Sequence, residues 1–383
     1  MISLGSATIM ADELPLSADS WSMSIRPRFW LQRSRDAVTH HHLALVGLAT
    51  LQRRMDNTQL YGQFRWHSDN IGLNKATRTE LHVDQAYIDY AMTTNIFMTL
   101  GRRQIFNGVA LGHNPTDFLN ATKAKNYLLS DEERRTECPG DDVIAMMSLF
   151  RDHALQMLFS PAPAHQQRHR WLIQFSRQIQ AINTAVEFMG YYADRPGIGL
   201  TFSSAVHDNT LAYAELAIRR GRDRLKPVFV NSSWALLQDN ANTVAMTWGV
   251  QYTFANGIDL NIEYWKDNNG YSDKEYALIQ RNIVAVAPPS ATMATILNKR
   301  PLRPEKLFVR LANIKLSPQS ALELIAINSL IDRSVFFQSA WELAINPKAT
   351  LRLAAKLSHG AAFSEYGSSR DASQWLIGYR YDF

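Results

Sequence analysis

One cysteine, Cys138, serves a chain of 383 residues. A lone thiol excludes a disulfide scaffold and any metal site built from several thiolates. Charge is also sparse: 20% of the residues are Asp, Glu, Lys or Arg, and 40 basic against 35 acidic side chains leave a net +5. That excess is small for the length and argues against a nucleic-acid partner. Long hydrophobic runs are missing too. The longest nearly apolar stretch, Ile283 to Leu297, is broken by Pro288, Pro289 and Ser290. No window of about 18 apolar residues is left to form a membrane-spanning helix. What the chain has instead is 46% apolar residues, with 17 Phe, 14 Tyr and 9 Trp, more than a disordered polypeptide carries.

These apolar residues alternate. From Thr243, Val244, Met246, Trp248, Val250 and Tyr252 share one face, with Ala245, Thr247, Gly249 and Gln251 on the other. After Asn256-Gly257, Leu260, Ile262 and Tyr264 alternate with Asp259, Asn261 and Glu263. A period of two marks strands with one apolar and one polar face, and the Asn-Gly pair suits a tight hairpin turn. Phe337, Trp341 and Leu343 repeat the pattern against Gln338 and Glu342, and Leu351, Leu353 and Leu357 do so against Arg352 and Lys356. Counting such segments gives about eighteen strands, within a range of 16–18. At roughly 21 residues per strand this spacing predicts an all-β fold, a transmembrane antiparallel β-barrel. Short turns alternate with long connections at 107–142, 221–242, 267–305 and 358–373, so short periplasmic turns and long extracellular loops are expected. Residues 12–383 then form one barrel domain. Residues 1–11 read either as the remnant of a signal peptide ending at Ala11 or as an ordinary terminus. Leu43 to Leu51 and Ala321 to Leu330 are apolar on both faces and fit strands packed under an infolded loop as well as short helices.

If the greasy positions face lipid, their neighbours face the lumen. That assignment lines the pore with Arg26, Arg28, Arg65, Arg102, Arg219, Arg310, Arg352, Lys356 and Arg380, and with Glu187, Glu215, Asp259, Glu263, Glu342 and Asp382. So many charges require water or paired ladders, because an unpaired charge in hydrocarbon is expensive. About eighteen strands enclose more space than side chains fill, which favours a water-filled channel. The Arg26 and Arg28 forks suit carboxylate, sulfate or phosphate, or else pair with acidic residues of neighbouring strands. The 107–142 connection is the expected gate or constriction. Asn114 or Thr116 could cap a short helix near Pro115 and Asp117, and Asp131, Glu132, Glu133, Arg134 and Arg135 form a block of both signs. Folded inward, that block would set a transverse field against wall arginines.

The run LGRRQIFNGVALGHNPTDFLN, the EERR block and the MMSLF and LQMLFSP strands together resemble a group of proteobacterial outer-membrane porin barrels. The resemblance covers mainly Tyr87 to Pro161 and extends distantly to the eighteen-stranded alginate-export channel. Asn107-Gly108 stands where a Trp-Gly pair is usual. The closing strand, with Trp375, Ile377, Tyr379, Tyr381 and the final Phe383, is similar to terminal strands of Gram-negative outer-membrane proteins. The resemblance implies an outer-membrane location amid lipid and lipopolysaccharide, with Tyr379, Tyr381 and Phe383 as a signal to the barrel-assembly machinery.

No Gly-x-Ser-x-Gly, Walker or metalloprotease motif occurs. The His40-His41-His42 triplet points to alternate faces and makes an awkward chelate. No enzyme activity, cofactor or metal is expected. The leading functional expectation is a channel for small hydrophilic, charged solutes, narrowed by the 107–142 loop. A polysaccharide export pore is the first alternative, and a structural barrel holding a periplasmic or outer-membrane protein partner is the second.

Overall fold

The computed structural model describes residues 19–35, 38–70, 76–121, 123, 126–162, 168–230, 233–285, 301–369 and 371–383. The suggested signal remnant, residues 1–11, lies outside them. The strands, in chain order, are β1 (Ser20–Ser34), β2 (Thr39–Met55), β3 (Thr58–Asp69), β4 (Arg78–Ala91), β5 (Ile96–Arg103), β6 (Asp141–Phe150) and β7 (His153–Ser160). Next come β8 (Arg170–Ile179), β9 (Thr184–Tyr192), β10 (Gly197–His207), β11 (Thr210–Arg219), β12 (Leu225–Val230) and β13 (Ser233–Gln238). The last are β14 (Thr243–Thr253), β15 (Asp259–Asp267), β16 (Glu305–Ser317), β17 (Ser320–Ser329), β18 (Val335–Asn346), β19 (Ala349–His359) and β20 (Asp371–Asp382). β12 and β13 make a separate hairpin, and the other strands form one 18-stranded sheet. β1 pairs antiparallel with both β2 and β20, which closes the barrel. Closure leaves no sheet edge, so every wall strand finds its hydrogen-bond partners within the wall.

One rim carries tight turns. Asp56 and Asn183 adopt positive φ of 44° and 46° in the turns after β2 and β8. Gly257, at φ 82°, makes the turn between β14 and β15, where a side chain would be strained. The opposite rim carries the connections 104–140, 220–242, 268–304 and 360–370. Three of these hold secondary structure of their own: a short helix at Asp131–Thr136, the β12–β13 hairpin, and a helix at Asp273–Ala285 packed through Tyr276 and Ile279 against Tyr271 and Leu302. No described helix is long and apolar enough to cross a membrane.

Alternation sorts the side chains as the period-two pattern requires. In β8, Trp171, Ile173 and Phe175 are exposed on the outer surface, whereas Arg170 and Gln174 are buried on the inner one. The two segments apolar on both faces are strands. Ala44, Val46 and Leu48 of β2 are buried inward. Ile325 and Ile327 of β17 join a cluster with Trp265, Phe308 and Phe336 that is covered by Tyr127 of the 104–140 connection. The inner face of β17 around Ile325 and Ile327 is apolar because the folded-in segment lies on it.

Candidate solute pathway in the lumen

The 104–140 connection enters the barrel and binds its wall on several sides. Two wall carboxylates capture its backbone. Glu215 of β11 accepts the Val109 and Ala110 N–H groups at 2.6 and 2.7 Å and the Thr116 hydroxyl at 2.7 Å. Glu263 of β15 accepts the Leu111 N–H at 2.7 Å, the Gly112 N–H at 3.1 Å, the Tyr213 hydroxyl at 2.8 Å and the Trp265 indole N–H at 2.7 Å. Tyr213 reaches Glu263 by lying over Gly249, where a Cβ would stand 2.3 Å from its ring. Both carboxylates are buried, and each is offset by several donors, which is what a buried charge needs.

A second set of contacts holds a helix, Asp131–Thr136. Ser130 and Glu133 close its N-terminus as a capping box, with acidic residues in the first turn and Arg134 and Arg135 in the last. Arg26 Nη1 donates to Glu137 at 3.0 Å, and Arg28 donates to Glu137 Oε2 and Glu133 Oε1 at 2.8 Å each. Arg310 meets Asp131 at 3.0 Å, and Arg380 meets Glu132 at 2.8 Å. Arg352 donates to the Leu128 carbonyl at 2.9 Å and pairs with Glu342. Arg134 stacks over the Tyr127 ring at 5.4 Å, and Arg135 over Phe106 at 5.9 Å.

The remaining inner-face charges are not tied to this segment. Arg65 pairs with Asp84 at 2.7 Å and Arg219 with Asp223 at 3.1 Å, while Asp382 lies 3.2 Å from Arg380. Asp259 accepts from Thr253 and Asn313, and Glu187 from Gln174. Lys356 faces the long-loop mouth.

Arg102 requires a correction. It shares the outer face with Leu100 and pairs there with Asp142, at 2.8 Å, beside Ile144. Period two puts Arg103 inward instead, where it meets Asp89 at 2.8 Å. The helix expected near Pro115 is also absent, and residues 114–120 form turns. The Asn114 amide N–H donates to the Asn107 carbonyl at 2.6 Å and the Thr116 hydroxyl donates to Glu215 at 2.7 Å, so both side chains tie the segment down rather than open a helix. Asp117 accepts from Asn120 at 2.9 Å. Of the three consecutive histidines, His42 meets Asp69 at 2.9 Å. No group of three or more His, Cys, Asp or Glu among the described residues is placed to hold a metal ion.

The infolded segment leaves a passage beside it. A cavity of about 1080 Å³ runs between the segment and the wall, from Trp30 and Lys123 toward Phe97, Met147 and Gln251 near the short-turn rim. A second cavity, about 460 Å³, opens at the long-loop mouth and shares Asn114, Asp117, Asn120, Lys123 and Tyr127 with the first. A third, about 450 Å³, lies between the helix and β16–β20 and is lined by Glu132, Arg310 and Arg380. In the largest cavity Arg28, Arg65, Arg103, Lys123, Arg134 and Arg135 outnumber Asp117, Asp131 and Glu137, six to three. Asn107 faces it with a buried amide that has no hydrogen-bond partner among the described residues.

The protonation of Glu133 sets the pH range of the docked helix. Burial pushes this carboxyl up, but the Arg28 guanidinium and the Ser130 N–H outweigh burial and hold it at about 2, against an ordinary 4.5. A depressed carboxylate stabilises the docked state above pH ~4.5, and that contribution is lost as pH falls from 4.5 toward 2. The Glu133–Arg28 contribution to docking should therefore be level from about pH 8 to 5, and the rise in conductance that its loss produces should come only in the acid range below and be missing from Glu133→Gln. An onset near pH 6 would assign release to another group.

The architecture is that of the outer-membrane porins: a closed eighteen-stranded antiparallel barrel with a segment folded into its lumen. Among solved structures, Pseudomonas aeruginosa OccK11 (OpdR) is similar with a TM-score of 0.59 at 10% identity, over 95% of this chain and 96% of that one. OccK5 (OpdH) of the same organism gives 0.56 at 9%, over 95% and 98%. P. aeruginosa OpdQ gives 0.56 at 7%, over 96% and 99%. No protein-family description matches the sequence, and no curated protein does.

Proposed function

We propose that this chain is a passive porin-like channel in the outer membrane of a Gram-negative bacterium, passing small hydrophilic, charged solutes through the lumen. The observation that carries the reading is the pair of adjoining cavities that reaches past the infolded segment from the long-loop mouth into the short-turn half. The apolar outer face and the polar inner one support membrane placement. Five of the six cations lining the larger cavity are ion-paired, and Arg135 has no ion pair among the described residues; its field, focused by a low-dielectric wall, favours anions over cations. A polymer export pore is less well supported, because the segment anchored by Glu215 and Glu263 obstructs the width such a polymer needs.

Planar-bilayer recording tests the channel reading. Steady open steps with an anion-favouring reversal potential in a salt gradient are expected. Silence from correctly folded protein would overturn it. The charge argument has its own test in Arg135, which is exposed, lines the larger cavity and forms no ion pair among the described residues. Arg135→Glu should move the reversal potential toward cations with conductance little changed. An unmoved potential would remove Arg135 from the conducting path.

A further inference from the structure

The lipid-facing wall has a notch near its long-loop rim. Strand register sets outward side chains of β8 to β11 in rows, with Ile173 opposite Gly190, Gly190 opposite Ile198, and Ile198 opposite Ile218. Gly190 alone in that row has no side chain, and a Cβ placed there would meet nothing within 4 Å. The next row toward the short-turn rim is filled by Phe175, Phe188 and Leu200. On the other side Trp171 stands opposite Tyr192. The result is a groove of about 510 Å³ walled by Trp171, Ile173, Tyr192, Ile198 and Ile218.

Two arginines border its upper end. Arg168 donates to the Tyr192 hydroxyl at 3.2 Å and lies 5.9 Å over that ring. Arg220 is exposed and lines the groove, and its backbone N–H is fixed on the Pro196 carbonyl. Neither forms an ion pair with a carboxylate among the described residues, whereas nearby Arg195 and Arg219 both pair with Asp223. A slot of acyl-chain character, bordered by two guanidinium groups that have no carboxylate partner among the described residues, is complementary to a phosphate on an acylated headgroup. Long loops face outward in barrels of this kind, which puts the slot at the level of the outer leaflet.

We propose that this groove binds an outer-leaflet phosphoglycolipid of the lipopolysaccharide class, with an acyl chain in the notch at Gly190 and a phosphate held by Arg168 and Arg220. The site rests on the outer-membrane reading. Its wall is rigid strand, and its cations stand outside the ion-pair network that holds the lumen together.

Native mass spectrometry of the detergent-purified full chain, with diphosphorylated lipid A, monophosphorylated lipid A and phosphatidylethanolamine added separately, tests it. Diphosphorylated lipid A should be retained best. Arg168→Glu with Arg220→Glu should lower its retention roughly tenfold or more, at about 1 kcal/mol for each basic residue near a membrane surface. Gly190→Trp, whose Cβ meets nothing within 4 Å and whose ring would occupy the notch, should lower retention of all acylated probes severalfold. Equal retention by the wild type and both variants, or phosphatidylethanolamine held as well as lipid A, overturns the site while the channel reading stands. Should the chain dissolve folded without detergent, the membrane reading falls and the site falls with it.

Discussion

Replacing Glu215 and Glu263 together with alanine is expected to free the 104–140 segment and raise single-channel conductance severalfold. The two carboxylates accept from the Val109, Ala110, Leu111 and Gly112 N–H groups and from the Thr116 hydroxyl. Without them the carboxylates' acceptor sites are gone, and the hydroxyls of Tyr213 and Thr201 left on the wall are too few for five donors. A buried donor left unmatched costs about 1–3 kcal/mol. Five of them lose on the order of 5 kcal/mol or more, enough to reverse docking that depends on them. The barrel itself is held by its strand ladder and should keep its β-type circular dichroism. Removing two negative charges also makes the lumen more cationic, so anion selectivity should increase along with conductance. Cys138, the chain's one cysteine, supplies an independent readout. Burial pushes its thiol up and limits its reactivity, so release should speed maleimide labelling. Wild-type conductance and labelling in a folded double variant would show that the segment is held elsewhere.

The wall was legible in the sequence to a degree the lumen was not. Strand alternation is a local signal, and in β14, β15, β18, β19 and β20 every second side chain already declares its face. Segments such as Ala321 to Leu330 stayed ambiguous because their inner faces contact Tyr127, nearly two hundred residues away in sequence. The same distance hides the roles of Glu215 and Glu263. Both read as lining residues, but their partners are backbone N–H groups, which carry no sequence signature. Glu137 was missed, although it binds both Arg26 and Arg28. Its position one helical turn after Glu133 was the available clue, since i and i+4 share a face. The Arg102–Arg103 pair shows the limit of a short strand end, where the face depends on which neighbour the period is counted from. Leu100 outward and Thr99 inward settle it.

Charge reversal at Arg28 separates a docking residue from a pore-lining one. Arg28 is only 3% exposed, and its guanidinium is shared between Glu133 and Glu137 of the infolded segment. Arg28→Glu would place a third carboxylate against those two, and breaking a buried pair typically costs about 3–5 kcal/mol. The helix Asp131–Thr136 should leave β1, so conductance and Cys138 labelling should rise together. A residue that merely lined open water would shift the reversal potential and leave both unchanged. The milder set Arg28→Ala, Glu137→Ala and their combination then measures the coupling, because partners in one ion-pair network are not additive. The combined variant should be released little further than the worse single one, since each single change already leaves a charge buried without its counterpart. Strict additivity would mean that the two groups act on docking independently. In that case the Arg26–Arg28 cluster would be read again as a field-setting feature of the pore wall.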